Sequence, residues 1–293
     1  MFKIINNFHS KFNKQTIANK LIYINVLSFI ATSIFSVIAF IFEMENYNIY
    51  NKLSLSANLA VVIKHPWSLI TYMFLHDGIF HILFNMLWLY FGGKLFLYHL
   101  QPKQFLSTYI LGGLFGGISF IAAYNYLPVF QDLSFNAYAV GASASVFAII
   151  VAIATYVPND TVNVPFLNKV KLKYIAIFMV IIDILSIPEG NSGGHIAHLG
   201  GALFGYIYIK QISTGKDISI YIYKIVDRFL YTFKRKKNSK ETKKRTKSDY
   251  EFNAEYAKKQ RGIDKILEKI STSGYESLSK EEKDTLFSAS KNK

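Results

Sequence analysis

Apolar residues fill the first 210 or so positions in long blocks, and short polar stretches interrupt them at intervals. A block of roughly 17–25 apolar residues is long enough to cross a bilayer as a helix. On that length the chain predicts six helices: Leu21–Phe42, Ile79–Leu100, Gln104–Tyr124, Ala142–Val157, Lys173–Ile187 and His195–Ile212. The expectation is an all-α, polytopic membrane protein built as a six-helix bundle. The fourth and fifth blocks are short, and the fourth opens at Ser143. Its N-terminus is therefore expected below the membrane surface, reached by a dipping segment, Leu127–Val140. The first block is longer than the apolar core of a signal peptide and lacks a clear cleavage site, so it reads as a retained helix.

Charge divides the chain further. Hydrophobic residues make up 51% of it, yet the formal net charge is +14. All four arginines and most lysines follow residue 212. The predicted organisation is an N-terminal segment (1–20), a membrane domain (21–212), a basic linker (213–250) and a small helical tail (251–293). There is no cysteine, which excludes a disulfide framework, a thiolate metal site and a cysteine nucleophile. Lys3, Lys11, Lys14 and Lys20 precede the first block, Lys103 follows the second, and Lys169, Lys171 and Lys173 follow the fourth. The alternate loops carry Glu43, Glu45, Lys52 and Lys64, then Asp132, then Glu189. The positive-inside rule places both termini in the cytoplasm, as an even number of crossings requires. Together with a Lys-, Asn- and Ile-rich composition, that layout points to a bacterial plasma membrane.

The run from Tyr231 to Lys247 is densely basic and reads as a solvated linker that brushes anionic lipid, each cation contributing about 1 kcal/mol near the surface. It lacks interleaved aromatics or a recognisable nucleic-acid-binding fold, so no nucleic-acid partner is expected. Beyond it, Ile263, Ile266, Leu267 and Ile270 have helical spacing. Ser273-Gly274 breaks that helix, and Ser279 with Glu282 fits a capping box ahead of Leu286 and Phe287. The hairpin is too short to bury much core and is expected to dock on a partner the sequence does not identify.

Candidate chemistry comes from polar residues where hydrocarbon tolerates few. His81 and Asn85 lie four apart on one face of the second helix. They suit hydrogen bonding to an oxyanion, or serve as interhelical glue. Ser143 follows Gly141 at the start of the fourth helix. Its own N–H is a first-turn donor without an intrahelical acceptor, at the end where the helix dipole favours negative charge. In the sixth helix His198, Gly201 and Gly205 share a stripe, and the glycines permit close approach to the serine helix. His198 is then placed as general base to Ser143. Phe147, four residues on, is placed to pack against the imidazole. Ser145 points to another face and reads as structural. No acidic third member is evident: Asp183, late in the fifth helix, is open to an orienting role but reads more plainly as a snorkelling or capping carboxylate, and His195 as an interface residue nearer the extracellular surface. Gly112, Gly113, Gly116 and Gly117 form a packing surface, Trp67 after Pro66 reads as an interfacial anchor, and His76 and Asp77 shape the start of the second helix.

His81-x-x-x-Asn85, Gly141-x-Ser143 and Ala197-His198-x-x-Gly201-x-x-x-Gly205, in that order on those helices, resemble the rhomboid intramembrane serine proteases over residues 20–212. The resemblance implies a six-helix bundle, a Ser143–His198 dyad, and an oxyanion hole from the Ser143 N–H, His81 and Asn85. It also implies transmembrane protein substrates admitted laterally past a mobile fifth helix, with no cofactor and no metal. Three positions depart from the family pattern. Ala144 stands where glycine is frequent, Phe147 where tyrosine often stacks, and Trp67-Ser68 where many members have Trp-Arg. Neither dyad residue is lost. A zinc hydrolase would need His-Glu-x-x-His on a helix, which His76, His81, His195 and His198 do not supply. A catalytically inactive relative that binds transmembrane clients is the alternative. A transporter fits less well, because no paired charges line a pathway.

Overall fold

The computed structural model describes residues 15–44, 49–133, 135–164, 168–222, 224–225, 228 and 249–291. Lys3, Lys11 and Lys14 and the whole basic run from Tyr231 to Lys247 lie outside them. Two compact units divide the chain, residues 1–233 and 234–293.

The first unit begins with α1 (Ile17–Ile41), whose N-cap Thr16 accepts a hydrogen bond from the Asn19 N–H at 3.2 Å. Three short helices follow: α2 (Ile49–Leu53), α3 (Leu59–Lys64) and α4 (Ser68–Thr71). The long helices α5 (Ile79–His99) and α6 (Pro102–Tyr126) are joined at Leu100 and Gln101, where the Gln101 N–H donates to Gln104 Oε1 at 2.9 Å and so caps the start of α6. Next come α7 (Ser143–Tyr156), α8 (Leu172–Ser186) and α9 (Ser192–Ser213). Each predicted apolar block thus contains a helix, with ends shifted by a few residues. Among the described residues, α1, α5 and α6 are long and apolar enough to cross a membrane by length and composition. At 1.5 Å per residue, the 14-residue α7 is about 21 Å long, shorter than a hydrocarbon core of about 30 Å.

The all-α expectation needs a small correction. Residues Leu55–Ser56 (β1) pair antiparallel with Tyr138–Ala139 (β2), with Leu55 opposite Ala139. A hairpin of Thr161–Val164 (β3) and Asn168–Lys171 (β4) links α7 to α8. Two-residue strands leave no alternation long enough to read in a sequence. The β1–β2 pair matters because it ties the first loop to the segment leading into Ser143. The Gly141 N–H donates to the Tyr72 carbonyl at 2.9 Å and extends that tie.

The centre of the unit is α7, nearly all of whose side chains from Ala144 to Ala154 are buried. Its neighbours reach it through glycines. A Cβ at Gly112 would lie 2.2 Å from the Ala148 Cβ, and one at Gly116 would lie 2.4 Å from the Ala144 Cβ. From the other side, a Cβ at Gly201 would lie 2.1 Å from the Ala144 carbonyl oxygen, and one at Gly205 2.2 Å from that of Ala148. Lipid tails are as apolar as leucine, so helices in a membrane associate through such close packing more than through apolar burial. Polar ties add to it: Asn25 donates to Tyr109 Oη at 3.1 Å, and Asp217 accepts from Gln104 at 2.9 Å and Tyr208 at 3.1 Å.

In the second unit, α10 (Asp249–Ser273) ends at Gly274, whose φ of +78° suits a residue without a side chain. The following helix α11 (Lys280–Lys291) opens with a reciprocal cap. The Ser279 N–H donates to the Glu282 carboxylate at 2.7 Å, and the Glu282 N–H to Ser279 Oγ at 3.3 Å. Lys269 reaches back to Glu282 at 2.8 Å.

Candidate active site

Helices α5, α7 and α9 begin, and α8 ends, at one end of the first unit, and their ends enclose a cavity of about 510 Å³. Ser143, His198, His81, Asn85 and Asp183 all line it.

Ser143 is the first residue of α7, and Ala142 before it contributes no capping side chain, so the first-turn N–H groups are not claimed from within the chain by that residue. Gly141 makes the approach possible. Its φ of +128° is a conformation side chains rarely adopt, and a Cβ there would lie 2.8 Å from His81 Nε2. His198 Nε2 lies 2.6 Å from Ser143 Oγ, a hydrogen bond between α7 and α9 at the level set by the Gly201 contact. Phe147 stacks on the imidazole, with centroids 4.6 Å apart and planes 16° apart. The ring of Phe147 therefore suffices for the stack without a phenolic hydroxyl. Ala144 fits in place of glycine because Gly116 faces its methyl group.

Across the cavity, His81 Nδ1 is 2.5 Å from the Asp77 carboxylate, which leaves Nε2 toward Gly141 and Ser143. Asn85 Nδ2 donates to the His81 carbonyl at 3.0 Å. His76 is fully buried with its ring 5.1 Å from that of His81. Burial, and then the neighbouring His81, push its pKa down to about 4. Ser145 is buried on the α6 side of α7, close to Gly113. Trp67 is half-exposed and donates its indole N–H to the Lys52 carbonyl at 2.8 Å. Ser68 beside it is buried.

The plainer reading of Asp183 is overturned. Asp183 is neither snorkelling nor capping: it is 4% exposed and faces inward. His195, in the first turn of α9, places its Nδ1 2.5 Å from Asp183 Oδ1. The same carboxylate lies 3.1 and 3.2 Å from His198 Nδ1. A signal for this exists in the sequence. Leu172, Ala176 and Asp183, at i, i+4 and i+11, share one helical stripe and are the buried residues of α8. An acid on the inward stripe of a helix has no route to water.

A family model described as Rhomboid domain matches residues 64–214, just over half of the 293-residue chain. A second, a family of unknown function (DUF6576), matches residues 247–292. The chain is 32% identical over 158 residues to RHOMBOID-like protein 12, mitochondrial, of Arabidopsis thaliana, covering 51% of this chain and 47% of the relative. It is 30% identical over 139 residues to presenilin-associated rhomboid-like protein A, mitochondrial, of Danio rerio, covering 46% of this chain and 35% of that one. RHOMBOID-like protein 1 of Arabidopsis thaliana is 30% identical over 149 residues. The matched region spans less than half the length of each of these relatives. Two of their names carry a mitochondrial address, and none supports a bacterial plasma membrane. The chain belongs to the rhomboid family and is a membrane protein.

Proposed function

We propose that this rhomboid is an intramembrane serine endopeptidase that cuts transmembrane or juxtamembrane segments of membrane proteins. The observation that carries the reading is the 2.6 Å contact between His198 Nε2 and Ser143 Oγ, inside a cavity also lined by His81 and Asn85. A hydroxyl on an imidazole, facing side-chain donors at a helix N-terminus, is the equipment of acyl transfer.

In the proposed reaction Ser143 Oγ attacks the scissile carbonyl carbon as its proton passes to His198 Nε2. The carbonyl oxygen gains the negative charge and is met by the Ser143 N–H, His81 and Asn85. His198 then protonates the leaving nitrogen as the C–N bond breaks, leaving an acyl-enzyme on Ser143. Water attacks that ester with His198 again accepting the proton, and His198 returns it to Ser143 Oγ as the acyl C–O bond breaks and the new carboxyl terminus leaves. The membrane arrangement we propose is six crossings with both termini on the lysine-rich, cytoplasmic side. Short α7 then starts below the headgroups, where water and a peptide bond can meet. Substrates are admitted between α5 and α8, whose apolar residues Phe84, Trp88, Phe178 and Ile182 line the cavity wall. At the tail, anionic lipid contacts the basic linker, and the α10–α11 hairpin docks on a separate partner.

Fluorophosphonate labelling of the purified protein tests the reading directly. Wild type is expected to label at Ser143 and to cleave a model transmembrane substrate. Ser143→Ala is expected to do neither, and His198→Ala to lose cleavage. A wild-type protein that binds transmembrane clients but neither labels nor cleaves would establish the inactive alternative.

A further inference from the structure

We infer that Asp183 is the positioning residue for the catalytic base, so that the working unit is Ser143–His198–Asp183 with His195 as the second anchor of the carboxylate. This rests on the proposed roles of Ser143 and His198. The hydrogen-bond order is Ser143 Oγ to His198 Nε2 at 2.6 Å, then His198 Nδ1 to Asp183 at 3.1 and 3.2 Å, then Asp183 Oδ1 to His195 Nδ1 at 2.5 Å. An ionised carboxylate only accepts hydrogen bonds. It therefore places the proton of neutral His198 on Nδ1 and leaves the Nε2 lone pair facing the serine. Without that partner, the imidazole is free to carry its proton on Nε2, the wrong tautomer for a base.

Burial makes the carboxylate's purpose specific. Its neighbours Ile182 and Ile184 are 45% and 50% exposed, whereas Asp183 is 4% exposed. A buried carboxylate is costly unless hydrogen bonds and opposite charge compensate it. Among the described residues its ion-pair partners are His195 and His198. His195 holds one oxygen and fixes the carboxylate's rotation. When His198 takes the serine proton, the new imidazolium sits beside a charge already in place. The Nδ1 proton remains on His198 beside the carboxylate, and the Nε2 proton goes to the leaving nitrogen. The other titratable groups lining the cavity are His81 with its partner Asp77, on α5 and just before it, together with Tyr72 and Tyr138.

Asp183, His195 and His198 also offer three ligand atoms within 4.8 Å of one another, the composition of a metal site. The spacing favours the hydrogen-bonded reading. Two ligands on a tetrahedral ion with bonds of about 2.0–2.1 Å are separated by roughly 3.3 Å. The His195–Asp183 separation of 2.5 Å is too short for two ligands of one ion and is that of a hydrogen bond.

The test is the second-order rate of fluorophosphonate labelling at Ser143, measured on the full-length protein across about pH 5–9, where an imidazole titrates. Asp183→Asn, nearly isosteric, is expected to slow labelling about 10²-fold or more; serine enzymes with an acidic third member lose about 10⁴ when it is amidated. Its acidic limb is expected to move to lower pH, because the imidazolium has lost its counter-charge. Asp183→Glu is expected to recover at least part of the rate. An Asp183→Asn protein with wild-type rate and acidic limb overturns the inference. So does one whose melting temperature falls while its acidic limb stays in place, since that marks a bridge between helices only. If wild type does not label at Ser143, the proposed nucleophile fails and this inference fails with it.

Discussion

Helix α9 has two neighbours that hold it in opposite ways. Toward α7 the contact is backbone on backbone: Gly201 and Gly205 leave no room for even a methyl group against the Ala144 and Ala148 carbonyls. Toward α8 much of the tie is polar, one carboxylate shared by two imidazoles, on a helix whose remaining faces are largely exposed. Interdigitated backbones have no alternative arrangement at similar energy, whereas a hydrogen-bonded carboxylate on an exposed helix can part and re-form. The proposed nucleophile and base thus sit on the fixed seam, and the carboxylate proposed to orient the base sits on the polar one. Parting α8 from α9 would leave the Ser143–His198 contact in place but withdraw the partner of His198 Nδ1.

The largest effect should come from breaking the fixed seam. Gly201→Val places a branched side chain where even a Cβ would be 2.1 Å from a backbone oxygen, so α7 and α9 must separate. A misplacement of about 1 Å at reacting groups costs on the order of 10²-fold, and overpacking costs stability as well. Cleavage by Gly201→Val is expected to fall to the level of Ser143→Ala, with a lowered melting temperature. Near-wild-type cleavage would mean that the seam is not rigid. Next in size, Asn85→Ala removes one proposed oxyanion donor and leaves both seams intact. Its kcat is expected to fall about 10²–10³-fold, roughly 2.7–4 kcal/mol, with residual cleavage and an unchanged melting temperature.

The contrast also explains what the sequence could reveal. The fixed seam is written in residue type: small residues at helical spacing, with Ser143, His198, His81 and Asn85 standing out as polar groups in apolar surroundings. Membrane depth makes each of them conspicuous one at a time. Asp183 is equally polar but lies near a helix end, where a carboxylate has the ordinary option of reaching water. Only the inward stripe of Leu172 and Ala176 separates the two cases, and which stripe faces inward depends on the packing of α8 against α7 and α9. Likewise, β1 and β2 are two residues long and more than 80 positions apart, so nothing local in either announces the pairing. Helix positions were legible from length and hydropathy, whereas partners across the bundle were not.

The loop leading into α5, outside both seams, has a pH signature of its own. Buried His76 is neutral, with its pKa pushed from the ordinary 6.5 down to about 4 by burial and then by His81. The folded state therefore binds a proton less readily than the unfolded chain. Its full contribution is present above the unfolded pKa of 6.5 and is lost as pH falls toward 4, a difference of about 3 kcal/mol. The melting temperature in detergent is expected to fall between those pH values in wild type and to fall less in His76→Gln. Identical slopes in the two proteins would show that this histidine is not held neutral.

The smallest expected effect weighs the two sides of the imidazole against each other. Phe147 holds His198 from the fixed side by stacking at 4.6 Å, and Asp183 holds it from the polar side through Nδ1. An aromatic contact of this kind contributes roughly 0.5–1.5 kcal/mol beyond its area. Phe147→Ala should accordingly lower kcat only about tenfold, while Phe147→Tyr, which keeps the ring, should stay near wild type. A loss for Phe147→Ala larger than that for Asp183→Asn would reverse the assignment. The base would then be oriented by the rigid serine helix, and α8 could leave without consequence for the chemistry.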